Sequence, residues 1–208
     1  MGYTLRADAE QTTAWIRVPQ SEREGTIQVT GLCFLDTETV GLDLMRHDIW
    51  EIGWAVDHEP VVAGLVPHSL HNADEEALRI NHYHQRCEIS EPLTIPTEVE
   101  DYLYDTFHEA PRRHGNPLTV VGANPHFDLY RLSRRWDWDA PWAYRAIDVS
   151  VLAMGVFQTD LPLSLNTLIA RVREYGYEVP EPDHTAAGDV EATRAAFYAM
   201  RLISLTEQ

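Results

Sequence analysis

The sequence predicts an α/β domain in which helices flank a mixed five-stranded sheet. Three apolar runs separated by turn-like residues come first, at 27–36, 48–57 and 59–67, and predict three successive antiparallel strands. Segments with helical periodicity then alternate with two further β-rich runs, and the chain ends in helices. A chain of 208 residues can bury one sizeable core, so this order of elements predicts one folded unit.

The later elements follow from periodicity and from capping residues. We predict helices and strands in this order: helices at 74–81 and 97–109, a strand at 118–123, a helix at 126–135, a strand at 143–149, and helices at 150–157, 164–175 and 186–204. Ser164 and Asp183-His184-Thr185 are expected to begin helices, and Gly176 is expected to end one. Asp148 is expected to act as a cap or to support the residues of a metal site. Residues 1–26 are polar and irregular and predict an N-terminal extension or hairpin, which leaves 27–208 as a single domain.

The charged residues exclude several classes of function. All sixteen basic residues are arginine, which excludes phosphate-binding loops that need a lysine and Schiff-base chemistry. The net charge of −17 has the wrong sign for a protein that grips long stretches of phosphate backbone. We therefore expect any nucleic acid to be held locally, at a chain end or as a short oligomer.

The expected location is the cytoplasm. No apolar run approaches the length of a membrane span, and the N-terminus lacks the pattern of a signal peptide. Cys33 and Cys87 are the only cysteines, and Cys33 lies inside an apolar run, so both are interpreted as reduced and structural.

Four acids and one histidine form the most informative pattern. Asp36 and Glu38 end the first apolar run, and residues two apart in a strand share a face. Two acids on one face of a central strand repel each other, and divalent cations with oxygen ligands relieve that repulsion. Asp128 follows the β-rich run at 118–123, and Asp189 lies five residues after His184 at the start of the last helix.

Each of these residues also has an ordinary structural interpretation. Asp36 and Glu38 could lie on an exposed strand edge, although the apolar run before them favours a central strand. Asp128 alone would be read as a surface acid in the first turn of a helix, where negative charge is favourable. Asp189 could be a solvated helix position, and His184 a residue that begins the helix. Their combination with Asp36 and Glu38, in this order and at these spacings, favours a shared site.

This pattern resembles the DEDDh branch of the DnaQ-like 3′→5′ exonuclease superfamily, which includes the ribonuclease T, oligoribonuclease and proofreading types. The resemblance extends over about residues 30 to 205, and the His-x4-Asp spacing of His184 and Asp189 is typical of this branch. Supporting residues are Thr39, Gly41-Leu42, Glu51-Ile52-Gly53, Asn124 and Phe127. Val40 departs from the pattern, since many members have a second threonine there.

The resemblance implies a ribonuclease-H-like fold and a two-metal phosphodiester hydrolase. Two divalent cations, Mg²⁺ or Mn²⁺, would be held by four carboxylates: Asp36, Glu38, Asp128 and Asp189. His184 would act as the general base, Glu38 would also face the terminal hydroxyl, and the terminal nucleotide would be cradled by Thr39, Leu42 and Asn124. The implied substrates are single-stranded DNA or RNA 3′ ends, including short oligonucleotides, and the implied products are nucleoside 5′-monophosphates.

Some alternatives stay open at the level of sequence. The domain could instead be an accessory or binding subunit of a polymerase or another nucleic-acid complex, although the complete set of acids favours an enzyme. Neither the choice between DNA and RNA nor the choice between monomer and homodimer follows from the sequence. No membrane partner is expected.

Two further residue groups have weaker interpretations. The histidines at 68, 71, 82 and 84 suggest a zinc site, but the spacing and the scarcity of cysteines disfavour one. Trp136, Trp138 and Trp142 lie beside three arginines, Arg131, Arg134 and Arg135. Such a cluster could stack bases and contact phosphates, yet packing in the core is the favoured interpretation.

Overall fold

The computed structural model describes residues 31–87 and 98–206. Its strands are β1 (Leu32–Thr39), β2 (Ile49–Val56), β3 (Val62–Leu65), β4 (Thr119–Gly122) and β5 (Ile147–Asp148). Its helices are α1 (Glu75–Ile80), α2 (Tyr83–Arg86), α3 (Glu98–His114), α4 (Pro125–Arg135), α5 (Val149–Phe157), α6 (Leu165–Glu174) and α7 (Ala186–Thr206). The predicted N-terminal extension, 1–26, and the predicted strand residues 27–30 lie outside the described residues.

The strands form one mixed sheet in the order β3-β2-β1-β4-β5. β1 pairs antiparallel with β2, and β2 pairs antiparallel with β3. β4 joins the other edge of β1 in parallel, and β5 pairs in parallel with β4. The mixed five-stranded sheet predicted from the sequence is thus confirmed, with β1 at its centre.

Helices cover both faces of the sheet. Phe34 of β1 packs on α7, where its ring lies 5.6 Å from that of Phe197. Cys33 and Leu35 point to the opposite face and join the cluster that contains Phe107 of α3 and Leu132 of α4. Because side chains alternate along a strand, the positions 36 and 38 continue the Phe34 face, towards α7.

Several predicted boundaries are corrected by tertiary contacts. β1 continues to Thr39 rather than ending at 36, because its pairing with β2 extends to that residue. α3 continues through Pro111 to His114 rather than ending at 109, and its residue Ala110 is buried. β5 has two residues instead of spanning 143–149, because only Val121 and Gly122 of the short β4 pair with it.

The short helix α2 was not predicted. It buries Tyr83, whose ring lies edge-on to Trp50 at 5.0 Å and whose hydroxyl lies 2.7 Å from Nε2 of His68. These partners are distant in the sequence, so four residues of local pattern could not indicate the helix. His68 is therefore a structural partner of Tyr83.

The predicted helix boundaries that depended on capping residues are confirmed. The Ser164 side chain accepts a hydrogen bond from the Thr167 N–H at the start of α6, and Gly176 follows that helix with a φ of +86°. The Asp148 side chain caps α5 by accepting from the Ser150 N–H at 2.8 Å.

The tryptophan and arginine cluster is largely structural. Trp136 and Trp142 pack against Phe107 in the core, at ring distances of 6.4 and 5.7 Å. Arg135 donates to both carboxylate oxygens of Glu100, at 2.9 and 2.6 Å. Core packing, the favoured interpretation of the sequence, thus accounts for most of this cluster.

Cys33 and Cys87 are buried and form no disulfide. None of the helices in 31–87 and 98–206 has the length and apolar character needed to cross a membrane.

Candidate metal centre

Three elements bring the predicted site residues to one end of the sheet. β1 carries Asp36 and Glu38 on the face that packs against α7. α4 begins just after β4 and carries Asp128 in its first turn, and α7 carries Asp189 in its first turn. The loop before α7 carries His184.

The carboxylates of Asp36, Glu38 and Asp189 form a compact cluster. One oxygen from each lies within 4.8 Å of the others. Within 31–87 and 98–206, no other group of three or more histidines, cysteines or acids has the spacing of a metal site. The zinc site considered for the four histidines is therefore not formed by the described residues.

Asp128 lies outside this compact cluster, but its charge raises the pKa of Asp36. It is buried, and its Oδ1 accepts a hydrogen bond of 2.5 Å from the Thr37 hydroxyl. Burial raises the pKa of Asp128 to about 7, although the Thr37 hydrogen bond opposes this shift. The side chains of Thr37 and Asp36 point to opposite faces of the sheet. Asp128 therefore contacts β1 from the face that α4 covers.

Asp189 is oriented by the turn that precedes α7. Its Oδ1 accepts hydrogen bonds from the backbone N–H groups of Asp183 at 3.0 Å and His184 at 3.2 Å. His184 adopts a left-handed backbone conformation with a φ of 57°, and its side chain is exposed. The two bonds occupy Oδ1, so Oδ2 is the oxygen of Asp189 that remains for a ligand.

The cluster contains more negative charge than its surroundings neutralise. Burial raises the pKa of Asp36 well above its usual range, and the charges of Asp128, Asp189 and Glu38 raise it further. Burial and the neighbouring charges of Asp189 and Glu51 raise the pKa of Glu38 to about 8. Grouped carboxylate oxygens of this kind are the ligands that divalent cations such as Mg²⁺ and Mn²⁺ prefer. The donor set therefore fits a divalent cation.

These raised pKa values predict how stability depends on pH without metal. A carboxyl group with a raised pKa in the folded state keeps its proton when the unfolded chain has already lost it. Stability therefore falls as pH rises through that window. We expect the melting temperature in chelator to fall between about pH 5 and about pH 8. Glu38→Gln should flatten this dependence, and Mn²⁺ should remove it, because bound metal stabilises the ionised carboxylates. A wild-type melting temperature that rises steadily over the same range would contradict the prediction.

Glu51 and Arg86 support the site. The sequence singled out Glu51 only as a supporting residue of the resemblance, and Arg86 was missed. Glu51 lies opposite Glu38 in the β1–β2 register, is buried, and forms an ion pair with Arg86. Its other oxygen accepts the Ala186 N–H at 3.0 Å, and Arg86 also donates to the His184 carbonyl at 3.2 Å. An acid inside the apolar run of β2 was the available signal. Arg86 offered none, because its partners are distant in the sequence.

Gly53 allows α7 to approach the sheet. A Cβ at this position would lie 2.5 Å from the Ala186 carbonyl oxygen, which is backbone and cannot rotate away. We expect Gly53→Ala to destabilise the fold by about 1–3 kcal/mol, the usual cost of overpacking, and to weaken metal binding by displacing Asp189. Denaturant unfolding and metal titration would measure both effects. Gly155→Ala is the matched control, since its Cβ would meet no neighbour within 4 Å.

The three residues predicted to cradle a nucleotide lie at the end of β1, in the loop that follows it, and just before α4. Thr39 is buried, and its hydroxyl donates to the Gly41 carbonyl at 2.9 Å. Leu42 is 75% exposed in the loop that follows. Asn124 is exposed immediately before α4, in a left-handed conformation. Thr39 thus shapes the backbone turn, while Leu42 and Asn124 are accessible to a ligand.

Comparison with solved structures supports the architecture. The chain is similar to a structure of S. pombe Pop2p in its Mg²⁺- and Mn²⁺-bound form, with 13% identity, a TM-score of 0.57, and coverage of 83% of each chain. This likeness shows that the chain has the predicted ribonuclease-H-like fold. No protein-family model and no curated protein sequence matches the chain.

Proposed function

We propose that this protein is a metal-dependent 3′→5′ exonuclease of the DEDDh type that releases nucleoside 5′-monophosphates from single-stranded DNA or RNA. The observation that carries the proposal is the convergence of Asp36, Glu38 and Asp189 within 4.8 Å, next to the charge of Asp128. The fold shared with a metal-bound neighbour supports it.

The acids would hold two divalent cations, Mg²⁺ or Mn²⁺. Asp36, on the central strand, would hold an ion together with Glu38 and Asp189, whose carboxylate oxygens lie within 4.8 Å of its own. Asp189 offers Oδ2, and the Thr37 hydroxyl fixes the orientation of Asp128. When bound, such ions lower the pKa of a water molecule and stabilise the departing oxygen of the phosphodiester.

His184 would remove the proton from the attacking water. Its imidazole is exposed and its charge acts on Asp189 of the acid cluster, and histidine is the side chain most often used as a general base. Arg86 donates a hydrogen bond to the His184 carbonyl, and the His184 N–H donates one to Asp189. These two bonds fix the backbone on both sides of the imidazole. Glu38, ionised when metal is bound, would accept a hydrogen bond from the terminal 3′ hydroxyl.

The proposed substrates are 3′ ends and short oligonucleotides. The charge of −17 disfavours long phosphate contacts. The three arginines near the tryptophans have partners within the protein. Arg135 is paired with Glu100. Arg131 donates to the Gly41 carbonyl, and Arg134 donates to the Leu44 carbonyl. A local grip on the chain end is therefore favoured over an extended basic groove.

A denaturing gel tests the proposal directly. Single-stranded DNA and RNA labelled at the 5′ end should shorten one nucleotide at a time with Mn²⁺ and stay intact in chelator. Circular single strands should resist, because they have no 3′ end. A 3′-phosphate should also block attack, because it places negative charge beside Glu38. Cleavage of the circular strand would contradict an exonuclease.

A further inference from the structure

An exposed aromatic patch lies on the loop after β1 and at α4, two segments that adjoin the candidate centre. It consists of Met45 from the β1–β2 loop, Tyr130 from α4 and Trp138 from the turn after α4. Met45 is 62% exposed and Trp138 is 59% exposed. The Tyr130 hydroxyl donates to Sδ of Met45 at 3.0 Å, and its ring lies 5.6 Å from that of Trp138, nearly edge-on. The three side chains therefore form one surface.

The backbone holds Trp138 outward in an uncommon conformation. Asp137 and Trp138 both have positive φ, 51° and 66°, a region that residues other than glycine seldom adopt. The turn is fixed by a bond of 2.6 Å from the Trp138 N–H to the Ser133 carbonyl, and by Asp139, which accepts from the Tyr104 hydroxyl at 2.8 Å. Strained backbone that persists because its surroundings fix it is frequent at functional sites.

The patch shares two elements with the centre. The loop that contains Met45 begins directly after β1, the strand of Asp36 and Glu38. It is tied to α4 by the Arg131 bond to the Gly41 carbonyl at 3.0 Å. α4 in turn carries Asp128 in its first turn and Tyr130 two residues later.

Charged residues of both signs lie near the patch. Arg46 lies 3.8 Å from Asp43 in the same loop, and Arg134 and Asp137 border the aromatic rings in the sequence. Exposed rings without a surplus of basic residues suit the flat faces of nucleobases better than they suit phosphates.

Resting on the proposed exonuclease function, we propose that the aromatic patch is a stacking subsite for the bases upstream of the 3′-terminal nucleotide of a single strand. Stacking on Trp138 and Tyr130 would supply the grip that a chain of charge −17 lacks. Because every base has a flat aromatic face, such a subsite accepts DNA or RNA of any sequence.

Rates on oligonucleotides of two, four and eight nucleotides, with one 3′ sequence, test this subsite. For the wild type, kcat/KM should rise with length. Trp138→Ala should lower kcat/KM on the eight-mer by about 10- to 100-fold, the effect of losing one stacked base, and should lower it far less on the dinucleotide. Trp138→Phe should restore most of the length dependence. The wild type should hydrolyse an eight-mer with abasic upstream positions with the same low kcat/KM that Trp138→Ala shows on the normal eight-mer.

Tyr144→Ala is the matched control. Tyr144 is 96% exposed, and the neighbouring Ala143 N–H bonds the Leu118 carbonyl before β4, at the other end of the sheet. An unchanged length profile in Trp138→Ala, with normal hydrolysis, would overturn the subsite and leave the exonuclease intact. A change only in oligomeric state would overturn it too, and would identify the patch as an interface between copies. If the wild type hydrolyses nothing, yet binds a fluorescein-labelled eight-mer that Trp138→Ala releases, the subsite stands and the exonuclease falls.

Discussion

Asp36→Asn should abolish hydrolysis while leaving the fold intact or more stable. Asp36 is half-buried, and its charge is repelled by three neighbouring acids of the site and by Glu51. The substitution removes a central ligand and at the same time relieves this repulsion. We expect no detectable cleavage of a 5′-labelled single strand, together with an equal or higher melting temperature in chelator. The rise in melting temperature that Mn²⁺ gives the wild type by mass action should be largely lost.

Asp57→Asn is the control for this change. Asp57 accepts hydrogen bonds from the Gly31 and Leu32 N–H groups at 3.0 and 2.9 Å, at the opposite end of β1. It should lower stability but keep both hydrolysis and the metal-induced shift. Full activity of Asp36→Asn, or of the wild type in excess chelator, would contradict the two-metal assignment.

His184→Ala, which removes the imidazole, should reduce turnover by about 10²–10⁴-fold, the range for a positioned general base. His184 bonds Asp189 through its backbone N–H rather than through its side chain. Metal-induced stabilisation should therefore be nearly unchanged. Part of the activity should return at higher pH, where hydroxide replaces the missing base.

The backbone at His184 requires a second variant. Its φ of 57° is costly for alanine and better tolerated by asparagine. His184→Asn therefore removes the base with less strain, and equal losses of turnover in both variants would assign the effect to the imidazole. His71→Ala, at an exposed position before α1, should have no effect. If His184→Asn loses the metal-dependent shift in melting temperature, His184 is a ligand rather than a base.

The sequence by itself determined the order of the elements and the chemistry of the acids. Alternation placed Asp36 and Glu38 on one face of β1, because side-chain direction in a strand depends only on position. Ser164, Asp148 and Gly176 marked helix boundaries, because capping is decided by side chains within a few residues of the helix end. These are local rules, so one sequence was sufficient.

Only the tertiary structure decided how the site is held. Glu51 and Arg86 support the turn that carries His184 through contacts that span up to 135 residues. Gly53 has no local reason to be glycine until α7 packs over it. The structure also separates Asp128 from the compact trio and gathers Met45, Tyr130 and Trp138 into one surface. Each of these features depends on which distant segments meet, and periodicity along one chain does not encode those distances.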